Sequence, residues 1–366
     1  MDKKIAVIFG GQSNENEISV ITGTMALNVL KSAGYETVPV YIAQNGDIYT
    51  GEKLADISNF SSSNYVNCPR AMFFTGGVYE LNKRGKPKKF ISFNVALNCC
   101  HGGSGEGGGI SGLCEVLNIP LASAGVFESS ALMDKYLTKL VLSAIGVETA
   151  RYVYVKSVEE AETADNMPDF PLIVKPVSLG SSIGVEKVAN REELRAALEC
   201  ALLYDRAVII EEYFSDRREI NCAAYYSAGK VATSECEEAR PGGDIFSYEE
   251  KYGGHGKSVY PADIPEQLSG EIKKITRVVY EKLNMRGIVR FDFILSGGKV
   301  YLSEINTVPG SLSYYLLADG FKDFARVLNS VIDQAVADFS LTKSKKLIRT
   351  GILENISTNA CKVGRK

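Results

Sequence analysis

Four polar side chains near residue 300 are of the types that bind divalent cations and phosphate groups. Arg290 and Asp292 lie in one apolar run, Glu304 and Asn306 lie in the next, and a glycine-containing segment, 296–299, joins the two. This pattern predicts a β-hairpin, in which residues two apart share a face. Carboxylates that face each other repel without a cation, and Mg²⁺ prefers oxygen ligands. The pattern therefore favours a Mg²⁺–phosphate site, and the alternative is a polar cross-strand network on the surface.

The length of the hairpin turn decides which of these side chains meet. A three-residue loop, 297–299, places Asp292 opposite Glu304 and Arg290 opposite Asn306. The other face of the hairpin would then pack on a core through apolar side chains, namely Phe291, Phe293, Leu295, Tyr301 and Ile305.

A second candidate phosphate site begins at Lys175. This lysine ends an apolar run and precedes a loop rich in serine and glycine, 178–184. It differs from a Walker A loop, in which the lysine follows the glycines. The N–H and hydroxyl groups of a short Gly/Ser loop can bind phosphate. An ordinary turn between two strands would have a similar composition, so both interpretations stay open.

Two loops near the N-terminus follow predicted strands, at 10–17 and 101–109. Loops at the carboxyl edge of a parallel sheet bind ligands. In the first loop Glu15 could hold an ammonium group. Alternatively, an asparagine caps the following helix and the acidic side chains favour its dipole. In the second loop His101 adjoins a run of glycines and has little to pack against.

A further glycine-containing segment, 248–254, carries a lysine and two tyrosines. A lid over an active site would have this composition, and so would a solvated loop.

The elements that must position these loops begin as β-α-β. Strands are predicted at 4–9 and 37–43, with an amphipathic helix at 17–31 between them. The polar segment 51–90 is predicted to be an elaborated loop. A strand at 91–97 and a helix at about 110–118 follow.

Changes in the predicted order of helices and strands divide the rest of the chain into domains. A helix is predicted at 129–145, stopped by Gly146, and short strands then alternate with helices up to 212. Longer strands begin at 213. The predicted fold class is α/β, with α+β character in the C-terminal part. The predicted domains are 1–128, 129–212 and 213–340, and the basic tail 341–366 stays unassigned.

Composition narrows the class of protein. The chain has 366 residues, enough for two or three domains. Its 41 basic and 44 acidic residues give a net charge of −3, which argues against a nucleic-acid-binding surface. The first apolar run is too short for a signal peptide or a membrane span. The eight cysteines form no Cys-x-x-Cys pair, so we expect reduced thiols in a cytoplasmic protein without membrane partners.

In order along the chain, these motifs resemble the D-alanine–D-alanine ligase family of ATP-grasp enzymes. The resemblance covers roughly residues 4 to 335. The matching motifs are Gly10-Gly11-x-Ser13-x-Glu15-x-Glu17-x-Ser19, His101-Gly-x-x-Gly105-Glu106, Met133-Asp134-Lys135, Lys175-Pro-x-x-x-Gly180-Ser181-Ser182-x-Gly184, Tyr248-x-x-Lys251-Tyr252, Arg290-x-Asp292 and Glu304-x-Asn306-Thr307-x-Pro309-Gly310.

The resemblance implies a three-domain ATP-grasp architecture with an N-terminal Rossmann-like domain and ATP held between the central and C-terminal domains. ATP would contact Lys135, Lys175, Ser182, Glu211, Tyr213, Phe214, Glu219 and Lys251. Two Mg²⁺ ions, or Mn²⁺ as an alternative, would be bound by Asp292, Glu304 and Asn306. Catalysis would depend on Glu15, Ser181, Tyr252, Arg290 and Gly310. The amino-acid substrates would also contact His101, Ser311, Ser313 and Tyr315.

The activity that the resemblance implies is ATP-dependent joining of two D-alanines through an acyl phosphate, for peptidoglycan synthesis, by a homodimer. One alternative is a sister ligase whose acceptor is D-serine, D-lactate or another amine. Another is a nucleotide-binding protein without catalysis, against which the retained acids and lysines argue. Two departures from the family pattern bear on the acceptor: Gly107 replaces an aspartate, and the run 311–316 differs from the family's usual Thr/Ser-containing segment.

Overall fold

The computed structural model describes residues 3–240, 257–345, 348, 350 and 351. These residues form a mixed α/β structure with four β-sheets, which confirms the predicted fold class. No helix within these ranges is long and apolar enough to cross a membrane.

The N-terminal part is built on a mainly parallel sheet with strand order β3-β2-β1-β7-β8. Strand β1 is buried because it lies between two parallel neighbours. The elements are β1 Lys4–Gly10, α1 Asn16–Ser32, β2 Glu36–Ile42, β3 Ile48–Thr50, α2 Ser58–Ser61, β4 Ala71–Phe74, β5 Gly77–Leu81, β6 Pro87–Ser92, β7 Val95–Asn98, α3 Gly103–Glu106, α4 Gly109–Val116, β8 Leu121–Ala122 and α5 Val126–Met133, with 3₁₀ turns at Glu52–Ala55 and Asn64–Asn67. The predicted β-α-β unit and the helix after the glycine run are confirmed.

The prediction of a loop over residues 51–90 is wrong. Strands β4, β5 and β6 form an antiparallel sheet of their own, and one face of it packs through Val78 on the core beneath the parallel sheet. The predicted strand at 91–97 is divided, since β6 ends at Ser92 and β7 begins at Val95. The polar residues that suggested a loop lie in the short helical turns before this sheet.

The central part is a four-stranded antiparallel sheet of order β11-β10-β12-β9, with helices packed on it. Its elements are α6 Lys135–Ala144, β9 Tyr152–Val155, α7 Val158–Glu162, β10 Leu172–Pro176, β11 Glu186–Val188, α8 Arg191–Tyr204 and β12 Val208–Glu212. The single helix predicted over 129–145 is wrong, because Asp134 caps a new helix by accepting hydrogen bonds from the N–H groups of Tyr136 and Leu137. Gly146 has a φ of +76° directly after that helix, which confirms the predicted stop.

The C-terminal part contains the largest sheet, ordered β16-β15-β13-β17-β18, with β14 paired to β13. Its elements are β13 Arg218–Ser227, β14 Lys230–Thr233, β15 Glu237–Arg240, β16 Lys257–Val259, α9 Glu266–Lys282, β17 Val289–Ser296, β18 Lys299–Asn306, α10 Tyr314–Leu317 and α11 Phe321–Lys343, with a 3₁₀ turn at Gly310–Ser313. Helix α11 returns to the N-terminal part, where Phe324 and Leu328 share a core with Ile5 and Val7.

The β17–β18 hairpin contains the predicted residue pairs, although its turn is shorter than predicted. The turn has two residues, Gly297 and Gly298, so the strands start one residue out of the predicted register. A β-bulge at Ser303 restores that register, and Asp292 then pairs with Glu304 and Arg290 with Asn306. Tyr301 was predicted to face the core, and this is wrong. Before the bulge Tyr301 is on the cleft side, where its ring stacks on Phe214 with centroids 4.7 Å apart.

Candidate active site

A cleft of about 690 Å³ lies where the N-terminal loops, the central sheet and the β17–β18 hairpin meet. Strand β1 has β2 on one side and β7 on the other, so the loops after β1 and β7 diverge at its carboxyl edge. Ligands bind at such a switch point in parallel sheets. Glu15 and His101, from these two loops, both line the cleft.

The polar face of the hairpin forms one wall of this cleft and not an outer surface. Arg290 donates two hydrogen bonds to Asp292, with Nε–Oδ1 and Nη2–Oδ2 distances of 2.7 and 2.8 Å. Asn306 donates to Asp292 Oδ2 at 2.9 Å, and Glu304 accepts from Lys135 at 2.9 Å. Each carboxylate therefore already faces a cation.

The donor set of this wall fits Mg²⁺ and does not suit a softer metal. Two carboxylates and an amide converge on the cleft, and hard cations bind such oxygens together with phosphate oxygens. Within the described ranges, no three His, Cys, Asp or Glu side chains come together as a protein-only metal cage. The site therefore suits a cation shared between protein and phosphate oxygens.

A buried ion-pair cluster lies beneath the neighbouring wall. Glu211 is 3% exposed and accepts from both Lys139 and Lys175, at 2.8 and 2.5 Å. Burial raises the pKa of Glu211, but the charges and hydrogen bonds of the two lysines outweigh it and bring the pKa to about 2. The cluster holds Lys175 at the end of β10, where its ammonium group lines the cleft.

Glu15 lies in a notch that glycines make possible. A Cβ atom on Gly102 would meet Glu15 Oε2 at 2.4 Å, and one on Gly180 would meet it at 2.8 Å. Ser181, in the loop after β10, donates a hydrogen bond to the Glu15 carboxylate. Lys135 donates to the carbonyl of Leu179 in the same loop at 2.6 Å. The loop thus bridges the N-terminal and central parts over the cleft.

His101 is buried and hydrogen-bonded on several sides. Its Nε2 lies 2.8 Å from Thr22 Oγ1, and the same hydroxyl accepts from the N–H of Ser311 at 3.0 Å. Burial lowers the pKa of His101 to about 4. A hydrogen bond with the backbone of Val308 raises the pKa, and the charge of Arg290 lowers it further. The imidazole is therefore neutral near pH 7.

Glu106 links the glycine loop to the segment after the hairpin. It accepts from the N–H of Gly102 at 2.9 Å and from that of Val308 at 3.4 Å. Burial raises its pKa to about 7, and the charges of Glu15 and Glu304 add to the rise. Because Glu106 is partly protonated near pH 7, it adds less negative charge to the cleft than an ordinary glutamate would.

We expect His101→Gln to remove an acid-dependent loss of stability. In the unfolded chain the histidine takes up a proton below about pH 6.5, whereas the folded chain resists until about pH 4. The free energy of unfolding should fall across that window in the parent by up to about 3 kcal/mol, since one pKa unit corresponds to about 1.4 kcal/mol. Denaturation at pH 7 and pH 5 checks this. An equal pH dependence in both proteins would contradict it.

The other predicted ATP ligands surround the same cleft. One of these ligands, Tyr213, has two cationic neighbours: Lys187 lies 4.1 Å and Arg217 5.0 Å from the centroid of its ring. Those that line the cleft are Lys135, Lys175, Ser182, Glu211, Tyr213, Phe214 and Glu219. Lys251 and Tyr252 fall outside the described residues.

The structure places only some of the predicted ligands of the second substrate in the cleft. Ser311 and Tyr315 line it, as does Gly310, which was predicted to be catalytic. Ser313 is fully buried outside the cleft lining, and its hydroxyl has no hydrogen-bond partner among the described residues. The role predicted for Ser313 in carboxylate binding is therefore not supported by its position.

Sequence reasoning did not assign several side chains that line or support the cleft. Glu106 was part of a quoted motif without a role, and its position after a glycine run was the available signal. Lys139 had no signal of its own, because its partner Glu211 is distant in sequence. Asn221 and Glu237 also had no signal of their own, because their places beside Asp292 follow from strand pairings that only the structure shows.

The fold and cleft define the chain as an ATP-grasp type of protein, with a phosphate-type loop on one sheet and an oxygen-donor hairpin on another. Comparison with protein families agrees. The model described as "D-ala D-ala ligase N-terminus" matches residues 4–124, and "D-ala D-ala ligase C-terminus" matches residues 141–336. The chain belongs to the D-alanine–D-alanine ligase family.

Individual relatives are similar over nearly their whole length. The D-alanine–D-alanine ligase of Thermosipho melanesiensis is 33% identical, covering 98% of each chain. The solved D-alanine–D-alanine ligase of Coxiella burnetii has a TM-score of 0.81 at 26% identity and covers 97% of this chain and 99% of that one. The solved VanG D-Ala:D-Ser ligase of Enterococcus faecalis has a TM-score of 0.75 at 26% identity, with 93% and 100% covered.

Proposed function

We propose that this protein is an ATP-dependent carboxylate–amine ligase that joins two D-alanines to D-alanyl-D-alanine for peptidoglycan synthesis. The observation that carries the proposal is the Asp292–Glu304–Asn306 face beside Lys135 and Arg290, in one cleft with the Glu15 notch. The near full-length similarity to enzymes named D-alanine–D-alanine ligase supports it.

The residues that line the cleft have different roles in the proposed reaction, according to their charge. Glu15 holds the ammonium of the first D-alanine, with Ser181 fixing the carboxylate's orientation. Lys135 and Lys175 contact the phosphates of ATP, while Tyr213, Phe214 and Glu219 border the base and ribose. Asp292, Glu304 and Asn306 would hold two Mg²⁺ ions, which when bound neutralise charge on the phosphates during phosphoryl transfer.

The reaction proceeds in two stages on the substrates. The carboxylate of the first D-alanine takes the γ-phosphoryl group, giving an acyl phosphate and ADP. The ammonium group of the second D-alanine loses a proton, the free amine attacks the acyl carbon, and inorganic phosphate leaves and takes up the proton released when the amide forms. Arg290 and the N–H of Gly310 stabilise the oxyanion, and neutral His101 borders the first substrate's carboxylate.

The test is to incubate the protein with ATP, Mg²⁺ and single amino acids, and to identify products by mass. We expect ADP, phosphate and D-alanyl-D-alanine from D-alanine. A product formed only with D-serine or a hydroxy acid as acceptor would overturn the D-alanine assignment and keep the ligase class. We further propose a cytoplasmic homodimer, which sedimentation of the purified protein would test.

We expect the carboxylate of the second substrate to be bound by hydroxyl groups in the segment 311–315. Ser311→Ala and Tyr315→Phe should each raise the KM for the second D-alanine by at least about tenfold, because a hydrogen bond to a charged group contributes about 1.5–3 kcal/mol. Ser313→Ala is the matched control, since this hydroxyl is buried outside the cleft lining. Steady-state kinetics checks all three. Unchanged KM values in the first two would assign the carboxylate to other groups.

A further inference from the structure

A row of polar side chains crosses the C-terminal sheet at one level. The strand pairing places Glu237 beside Asn221, Asn221 beside Asp292, and Asp292 beside Glu304. All four line the cleft. The metal-binding face of the hairpin therefore continues over two more strands, to a carboxylate that the proposed mechanism does not use.

Glu237 differs from the other carboxylates of the row in lacking a cation. It is 6% exposed and accepts a hydrogen bond from Asn221 Nδ2 at 3.1 Å. Within residues 3–240 and 257–345 it forms no ion pair, whereas the adjacent Glu238 is paired with both Arg218 and Arg240 at 2.7 Å. A buried carboxylate costs free energy unless a cation meets it. Glu237 lines the cleft, so a bound ligand could supply that cation.

The surroundings of Glu237 show which part of the ligand that would be. Desolvation raises the pKa of the Tyr315 phenol, although the residue as a whole is 41% exposed. The neighbouring Arg290 lowers that pKa, and the charges of Glu237 and Asp292 raise it. The phenol is thus a neighbour of both the oxyanion-binding arginine and Glu237. Two strand spacings, about 10 Å, separate Glu237 from Asp292, and Asn221 lies between them on the same cleft wall.

We infer that Glu237 binds the ammonium group of the second amino acid, the acceptor, as Glu15 binds that of the first. The inference rests on the proposed function. The acceptor's carboxylate then points toward Ser311 and Tyr315, and its nitrogen lies on the side of the cleft that Arg290 borders. The ligand class is an α-amino acid in its zwitterionic form. Hydroxy acids lack the group that Glu237 recognises.

The test compares Glu237→Gln with a matched control, Glu235→Gln. Glutamine keeps the shape and can still accept from Asn221, so only the charge is lost. Glu235 is outside the cleft lining and pairs with Lys273, so its replacement removes an equal charge nearby. D-alanine saturation with ATP and Mg²⁺ gives KM values for the first and second amino acid, ATP titration gives a third, and thermal unfolding reports the fold.

We expect Glu237→Gln to raise the KM for the second D-alanine at least tenfold, with the other two KM values and the unfolding midpoint near those of the parent. Glu237→Asp should recover part of the loss, and Glu235→Gln should behave as the parent. A second-substrate KM within twofold of the parent overturns the inference. So does a parallel rise in all three KM values, which indicates a structural role. Dipeptide formation by the parent tests the proposed function separately.

Discussion

Replacing Asp292 with Asn, or Glu304 with Gln, will reduce ATP-dependent dipeptide formation by at least about 100-fold while the fold persists. Each carboxylate faces a cation in the structure, Arg290 for Asp292 and Lys135 for Glu304. Removing one charge should weaken binding of Mg²⁺ at the proposed site and therefore phosphoryl transfer. Neither side chain belongs to an apolar core, so the unfolding midpoint should change little.

ADP release in the presence of D-alanine and Mg²⁺ is the measurement, with Asp216→Asn as the control. Asp216 accepts from Ser296 and Gly297 at the turn of the same hairpin, outside the cleft lining. It therefore undergoes the same chemical change without touching the proposed metal site. Near-normal ADP release in both cleft variants would show that the hairpin face does not bind the metal.

Glu211→Gln will destabilise the fold more than any other single charge removal considered. Two lysines meet on this carboxylate, and Lys139 is only 2% exposed. Neutralising Glu211 leaves both charges without their shared counter-ion, and breaking a buried pair typically costs about 3–5 kcal/mol. For a chain of this size the thermal midpoint should fall by about 4–7 °C.

Glu212→Gln provides the comparison. This neighbouring carboxylate pairs with Arg151, whose side chain is 68% exposed, and such pairs contribute about 1 kcal/mol or less. Thermal unfolding of both variants at neutral pH gives the difference. If the two midpoints fell equally, the buried cluster would not be the stronger support of the central sheet.

The part of the site that lies on one hairpin could be predicted from the sequence. Alternating polar and apolar residues revealed that Asp292 and Glu304 share a face, and the structure confirms it. The two-residue turn and the bulge that produce this pairing could not be predicted, because a bulge such as that at Ser303 has no local sequence signal. The misplacement of Tyr301 follows from the same bulge.

Other features were hidden because they depend on contacts distant in sequence. The small sheet β4–β6 is stabilised by packing on the N-terminal core, while its flanking composition resembles that of a loop. Glu237 is one of three glutamates within 235–238, which is the pattern of a solvated charge run. Only the pairing of β15 with β13 shows that it faces the cleft.

The position of helix α11 bears on how the protein is made. Strand β1 is synthesised long before helix α11, which packs on one side of its sheet. The nascent N-terminal part therefore lacks the side chains that α11 adds to its core, such as Phe324 and Leu328, until that helix has been made. Its core is therefore completed only then, although domains often fold in order of synthesis. The cleft, whose lining extends to Tyr315, is likewise completed only after the C-terminal sheet has been translated.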